Sequence, residues 1–188
     1  MAELKNYIKS YFGIHEEDLA IVATHFTLTT LKKGDFFVKK GHYCTQLSFV
    51  KNGLLRIYAN AGTKDITQWI STEGSFITDL QSFALEQTAR WNIQALSDCE
   101  LYTITREDYK KLSSEIPKWE EIHNRFITVC FSSLENRIFS HLSMTAEERY
   151  EALFKSNPAL FNQVPLQYIA SMLGMTPETF SRIRNKIS

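Results

Sequence analysis

The sequence predicts an α+β protein: an antiparallel β-roll of the jelly-roll kind with flanking helices over residues 1–115, one long helix over 116–142, and two short helices joined by a tight turn within 143–188. Three observations carry that expectation. Between Thr30 and Ile104 short β-type runs are separated by turn residues at intervals of about 8 to 12 positions, the spacing of a sandwich or barrel. Between Pro117 and Leu142 neither Gly nor Pro occurs, and beyond Ser143 two stretches opened by Pro165 and Pro177 flank Gly174.

Bulk composition narrows the function classes. The 188 residues are 44% hydrophobic and 13% aromatic, enough to bury one large core or two small ones. The 21 basic and 21 acidic residues cancel, which excludes binding to nucleic acid by bulk charge but allows a local basic face. Residues 1–136 carry 15 basic against 17 acidic side chains, and residues 137–188 carry 6 against 4. Apolar runs are too interrupted for a bilayer span of about 18 residues. Met1 to Phe12, with Lys5 and Lys9, lacks the pattern of a secretory signal, so a cytoplasmic protein without a membrane partner is expected.

Cys44, Cys99 and Cys130 are odd in number and widely spaced, which disfavours a disulfide framework or structural zinc and predicts buried thiols. His15, His25, His42, His123 and His141 show no paired-ligand spacing, and no G-x-S-x-G, Walker loop or G-x-G-x-x-G occurs. Neither a metal site nor an enzyme is expected, and Asp79 with Glu86 reads as a pair of surface acids.

The predicted strands are Phe36 to Lys39, Gln46 to Lys51, Leu54 to Ala59, Ile66 to Ile70, Trp91 to Ala95 and Glu100 to Ile104. Asn52-Gly53 is the strongest hairpin signal among the turns. Pro117 suits the first turn of the long helix, with Ser113 and Ser114 as candidate caps, and about 26 residues make a rod of roughly 39 Å. Its apolar residues form two stripes: Trp119, Ile122, Phe126 and Val129, and then Ile127, Cys130, Phe131, Leu134, Ile138 and Leu142. One stripe suffices to dock the helix on its own domain, and the second implies a partner helix unless both belong to one wide buried face.

A capping box, Thr145 with Glu148, opens the next helix, which should end near Asn157-Pro158, with a loop from Ala159 to Val164. In the last segment Ile169, Ala170 and Leu173 face inward, Gly174 supplies a positive φ, Thr176 caps and Pro177 starts the final helix. Phe180 and Ile183 turn inward, leaving Glu178, Thr179, Ser181, Arg182 and Arg184 outside. Arg can fork onto guanine, Glu can accept from cytosine, and Ser or Thr can bond phosphate or base, as on the reading helix of a helix-turn-helix.

The order of β-roll, long helix and helix-turn-helix, with I-A-S-M-L-G-M-T-P-E-T-F-S-R-I over Ile169 to Ile183, closely resembles the Crp/Fnr family of bacterial transcription regulators along essentially the whole chain. The resemblance implies a cyclic-nucleotide-binding-like roll and a winged-helix-like reader. It also implies a homodimer paired through the long helix on a two-fold-related double-stranded DNA site, with RNA polymerase as a further partner. Glu178 and Arg182 match the family's base-reading acid and arginine. Thr176, Pro177, Thr179, Ser181 and Arg184 complete the expected DNA surface, and Trp119, Ile122, Phe126, Val129 and Ser133 the expected dimer contacts.

The family's phosphate cassette, G-E-L followed about ten residues later by R-S or R-T, is poorly kept. Asp79 stands for the acid, Leu80 follows it, Thr78 replaces the glycine, Ala89 replaces the arginine, and Arg90 comes one position late, on the opposite face unless a bulge intervenes. An effector would then meet Asp79, Leu80, Thr88 and Arg90, and these departures speak against cyclic AMP in favour of an unidentified small molecule or none. No cysteine cluster marks an iron-sulfur centre, and neither His42, His123 nor Cys44 is marked as a haem ligand. The chain ends at Ser188, just past the reading helix, where many relatives continue; a more mobile reader with an intact base-reading surface is expected. The rival reading is a small-ligand module whose carboxyl-terminal helices contact protein rather than DNA.

Overall fold

The computed structural model describes residues 2–187. Two helices, α1 (Ala2–Phe12) and α2 (Glu16–Thr24), precede two four-stranded antiparallel sheets. The first contains β1 (Thr27–Leu31), β8 (Cys99–Thr105), β3 (Gln46–Asn52) and β6 (Phe76–Ile77) in that spatial order. The second contains β2 (Phe36–Val38), β7 (Asn92–Ala95), β4 (Leu55–Ala61) and β5 (Lys64–Ser71). Period-two alternation gives the first sheet two buried faces. Val50 and Leu101 join Phe37, Leu55 and Ile93 in one core, while Leu47, Phe49, Tyr102 and Ile104 meet the helices in another.

The Asn52-Gly53 expectation is corrected. β3 and β4 belong to different sheets, so this pair turns a corner between layers. Gly53 is needed there: its φ is +102°, and a Cβ would stand 2.6 Å from the Asp98 carbonyl oxygen. The hairpin is instead β4–β5, with a register shift between Ile57 and Tyr58. The short strands β1 and β6 were not expected.

Helix α3 (Leu80–Leu85) starts at Asp79, and α4 (Arg106–Glu115) is capped by Thr105, whose hydroxyl accepts from the Asp108 N–H. Ser113 and Ser114 lie in the last turn of α4 and donate to the Lys110 and Lys111 carbonyls, so they do not cap the long helix. That helix, α5, runs Trp119–Ser143, two residues after Pro117.

Its amino-terminal stripe is spent within the chain. Trp119 and Phe126 stack on Phe12 with ring centroids 5.9 and 4.6 Å apart, Phe126 is 1% exposed, and Ile122 packs on the same core. Trp119, Ile122 and Phe126 are therefore corrected from partner contacts to the seam that docks α5 on its own roll. Val129 is half-buried and Ser133 exposed. The open face is the other stripe, where Phe131, Leu134, Ile138 and Leu142 are exposed, Leu142 at 81%.

After Met144 the capping box forms: Thr145 accepts from the Glu148 N–H and the Glu148 carboxylate accepts from the Thr145 N–H, opening α6 (Ala146–Ser156). The expected loop 159–164 holds a one-turn helix, α7 (Leu160–Gln163), followed by α8 (Leu166–Met172) and α9 (Pro177–Ile187). Tyr150, Phe161, Ile169, Ala170, Phe180 and Ile183 form their core, which Leu54 and Ile70 of the roll join. No described helix is long and apolar enough to cross a membrane.

Candidate functional site

The α8–α9 corner is set by local chemistry. Gly174 adopts φ +69°, and the Met175 N–H donates to the Ala170 carbonyl at 3.0 Å, closing the end of α8. Thr176 Oγ1 accepts from the Thr179 N–H at 3.2 Å, and Pro177 is the first residue of α9. Phe180 is 0% exposed beneath Tyr150 and Phe161. The opposite face presents Thr176, Pro177, Glu178, Ser181 and Arg182 to solvent, with Thr179 and Arg184 half-buried at its margin.

The charge on this face is ordered along the helix. The Glu178 carboxyl is held below the usual range by its own backbone N–H, then the Thr176 hydroxyl, with a smaller pull from Lys64 at the tip of the β4–β5 hairpin. An acid at the positive end of the helix and arginines further along suit the macrodipole. Lys186 is paired with Glu147 at 2.8 Å, while Arg182 and Arg184 make no ion pair among the described residues. The face therefore offers one acceptor, three hydroxyls and two free guanidinium groups.

The cassette region has a different character from the expected one. Asp79 is 2% exposed, and its carboxylate is consumed by backbone: Oδ1 accepts from the Ser82 N–H at 3.0 Å, and Oδ2 from the Arg90 and Trp91 N–H groups at 2.8 and 3.2 Å. It caps α3 and pins the start of β7 to it. Asp79 is thus corrected from a surface acid to a buried structural one, and with Leu80 and Arg90 it lines the larger cavity described below.

Thr78 donates its hydroxyl to the Gln46 carbonyl at 2.9 Å. Ala89 is buried with Phe37 and Val38, so the phosphate arginine's place is part of the apolar core. Arg90 is exposed, its guanidinium 3.5 Å from Gln81 Oε1, and it lines both of the cavities described next. Thr88 is exposed on a bridge to Tyr43, and Leu80 packs half-buried against the helical core. Thr88 and Arg90 line a shallow depression of about 440 Å³ with Lys40 and Gly41.

A larger cavity, about 640 Å³, lies between the roll and α5, lined by Tyr11, Trp69, Phe76, Trp91, Leu134 and Arg137 among others. Arg137 and Trp69 were not singled out in the sequence, although Arg137 interrupts the apolar stripe between Leu134 and Ile138. Arg137 Nη2 donates to the Met172 carbonyl at 3.0 Å, and its guanidinium sits 5.0 Å from the centre of the Trp69 ring. Burial pushes its pKa down from the ordinary value.

Beside the cavity the roll grips α8. Arg56, 4% exposed, lies between the Tyr58 and Tyr168 rings at 4.2 and 3.8 Å and donates to Thr67 Oγ1 at 2.9 Å. The Thr67 N–H donates to Ser171 Oγ at 2.9 Å, and Arg149 Nε donates to the Leu173 carbonyl at 2.9 Å. Cations from α5 and α6 thus close the carboxyl end of α8, where the helix dipole favours them.

Residues 28–115 match the cyclic nucleotide-binding domain family. No curated protein matches the chain in sequence. Among solved structures, FixK2 from Bradyrhizobium japonicum aligns at 16% identity over 86% of this chain and 84% of that one, with a TM-score of 0.73. A structure assigned to the crp/fnr family of transcriptional regulators, from Eubacterium rectale, aligns at 19% identity over 97% and 87%, with a TM-score of 0.69. The cAMP-bound regulatory domain of Toxoplasma gondii PKA aligns at 15% identity over 59% of this chain and only 43% of that one, with a TM-score of 0.54. At these identities the likeness is one of fold.

Proposed function

We propose that this protein is a homodimeric, sequence-specific DNA-binding regulator of the Crp/Fnr type, whose roll senses a small molecule other than cyclic AMP. The observation that carries the reading is α9: its inner residues Phe180 and Ile183 are buried, while Glu178, Ser181 and Arg182 stand free on an exposed face. Such a face carries donors and acceptors of the kinds that pair with base edges, on a helix free to enter a major groove. Dimerisation is assigned to the open stripe Phe131, Leu134, Ile138 and Leu142, which continues α5 beyond its own roll and would set two reading helices about a two-fold axis. The cytoplasm and RNA polymerase are the expected setting and partner.

The effector reading is supported by the match to a cyclic nucleotide-binding domain and by the cavity between roll and α5. Cyclic AMP is disfavoured by Asp79, whose oxygens are occupied, and by Ala89, which has no charge.

Selection of bound DNA from a random pool tests the proposal. The expected result is a two-fold-related consensus bound with affinity that falls steeply with salt, and Arg182→Ala should relax one base per half-site by about 1–3 kcal/mol. Failure to enrich any sequence would refute the DNA reading and favour a ligand module whose carboxyl-terminal helices contact protein.

A further inference from the structure

The cavity between roll and α5 carries positive charge that the surrounding protein leaves unmatched. Arg137 commits Nη2 to the Met172 carbonyl, but its Nη1 is shielded from solvent and has no hydrogen-bond partner among the described residues. Asp79, the acidic residue on the wall, has both oxygens committed to backbone N–H groups, and the other charged residue there is a second arginine, Arg90. Ser71 Oγ, also on the wall, is buried and unpartnered too. Buried orphan donors are rare because each costs its full desolvation, and a bound molecule is one of their standard explanations.

The remaining wall defines the rest of that molecule. Trp69, Trp91, Phe76 and Leu134 line the cavity, and Gln68, Ser75, Gln81 and Ser133 add neutral polar groups. A space of about 640 Å³ lies within the range of small-molecule sites. Two indole side chains, further apolar groups and one buried cation, with neutral polar side chains beside them, suit an aromatic body bearing a negative group.

Resting on the reading of this cavity as the effector site, we propose that it takes a small aromatic carboxylate, held through its carboxylate by Arg137 with its ring against Trp69 and Trp91. Arg137 also holds the last turn of α8 through Met172, so the group that anchors the ligand is the group that restrains the reader. A carboxylate is a stronger acceptor than a backbone carbonyl, and occupancy draws the guanidinium away from Met172. This anchor comes from the long helix, in place of the cassette arginine that Ala89 has removed.

The test uses the full chain without DNA and two matched probe pairs, phenylacetate with phenylacetamide and indole-3-acetate with indole-3-acetamide, read by calorimetric titration and thermal unfolding. Each acid should bind the parent protein about tenfold or more tightly than its amide, the scale of one charge-assisted hydrogen bond. Arg137→Gln should bind acid and amide alike, and Arg137→Lys should keep part of the preference. Amide hydrogen exchange in α8 should rise with the acid in the parent and not in Arg137→Gln. Should Arg137→Gln not fold, Trp69→Leu, at a partly exposed position, should weaken acid and amide together. Equal binding of acid and amide by the parent, an unchanged acid preference in Arg137→Gln, undiminished binding by Trp69→Leu, or no acid bound at millimolar concentration overturns the proposal. Unchanged exchange in α8 overturns the link to the reader. DNA selection remains a separate experiment, so failure here and failure of DNA binding are told apart.

Discussion

Replacing Asp79 with alanine separates a structural acid from a ligand-binding one. In the structure the carboxylate receives three backbone N–H bonds while 2% exposed. Each hydrogen bond to a charged acceptor contributes roughly 1.5–3 kcal/mol, but the three are not additive, because water from the adjoining cavity can reach part of the vacated space. A net loss of about 3 kcal/mol is expected, a large share of a domain stability of about 5–15 kcal/mol. Urea unfolding followed by far-ultraviolet circular dichroism should show the midpoint falling by about 1–2 M at unchanged slope. Asp79→Asn, with one acceptor oxygen, should fall between. If Asp79→Ala unfolds at the parent midpoint, the three bonds contribute nothing and the acid is free to serve a ligand, contrary to the geometry.

Other outcomes follow from the same structure. Cyclic AMP at millimolar concentration should leave the melting temperature unchanged; a clear upward shift would refute the reading of Asp79 and Ala89. Phe131→Glu with Ile138→Glu should convert a dimer to monomers in sedimentation, since each large apolar side chain contributes about 1.5–3 kcal/mol when buried; an intact dimer would remove the stripe from the interface. Phe180→Ala, at a fully buried site, should cost about 3–5 kcal/mol in denaturant unfolding of the carboxyl-terminal helices, and a negligible loss would contradict its packing. Glu148 is held below its usual range by the Thr145 backbone N–H and then the Thr145 hydroxyl. Because that folded value is depressed, the capping box stabilises above the ordinary glutamate range and its contribution fades on acidification through the lowered value; Glu148→Ala should remove this acid-sensitive component from a stability-against-pH profile.

The parts of the fold that were legible are those specified by neighbours in sequence. Gly174, Thr176 and Pro177 each state a backbone requirement within one turn, and the α8–α9 corner satisfies all three. The capping box at Thr145 was equally local. Asn52-Gly53 shows the limit: turn chemistry demands a positive φ at Gly53 but does not say which sheet the next strand joins. Short strands such as Phe76–Ile77 carry too few residues for a period. On α5 the two stripes were visible, yet the sequence did not say which one Phe12 would claim. Asp79 was found by register, but its role depends on two N–H groups more than ten residues away.

The joint between the roll and α8 constrains how strongly the proposed effector can act. The Arg137 bond to Met172 and the Thr67 bond to Ser171 both end on α8, and Arg56 stacks on Tyr168 of the same helix. An effector changes the equilibrium only by binding one pose better than the other. Withdrawing a single charge-assisted bond supplies about 1.5–3 kcal/mol, within the usual range of coupling energies but short of the about 5.5 kcal/mol that carries a switch from one part in a hundred to ninety-nine. Two equivalent sites that must switch together double the available energy to about 3–6 kcal/mol. In the proposed dimer the exposed stripe on α5 would therefore couple the two sites as well as space the two α9 helices. A monomeric variant should retain ligand binding while its exchange response in α8 becomes shallower, and a monomer that responds as fully as the parent would place the whole switch within one chain.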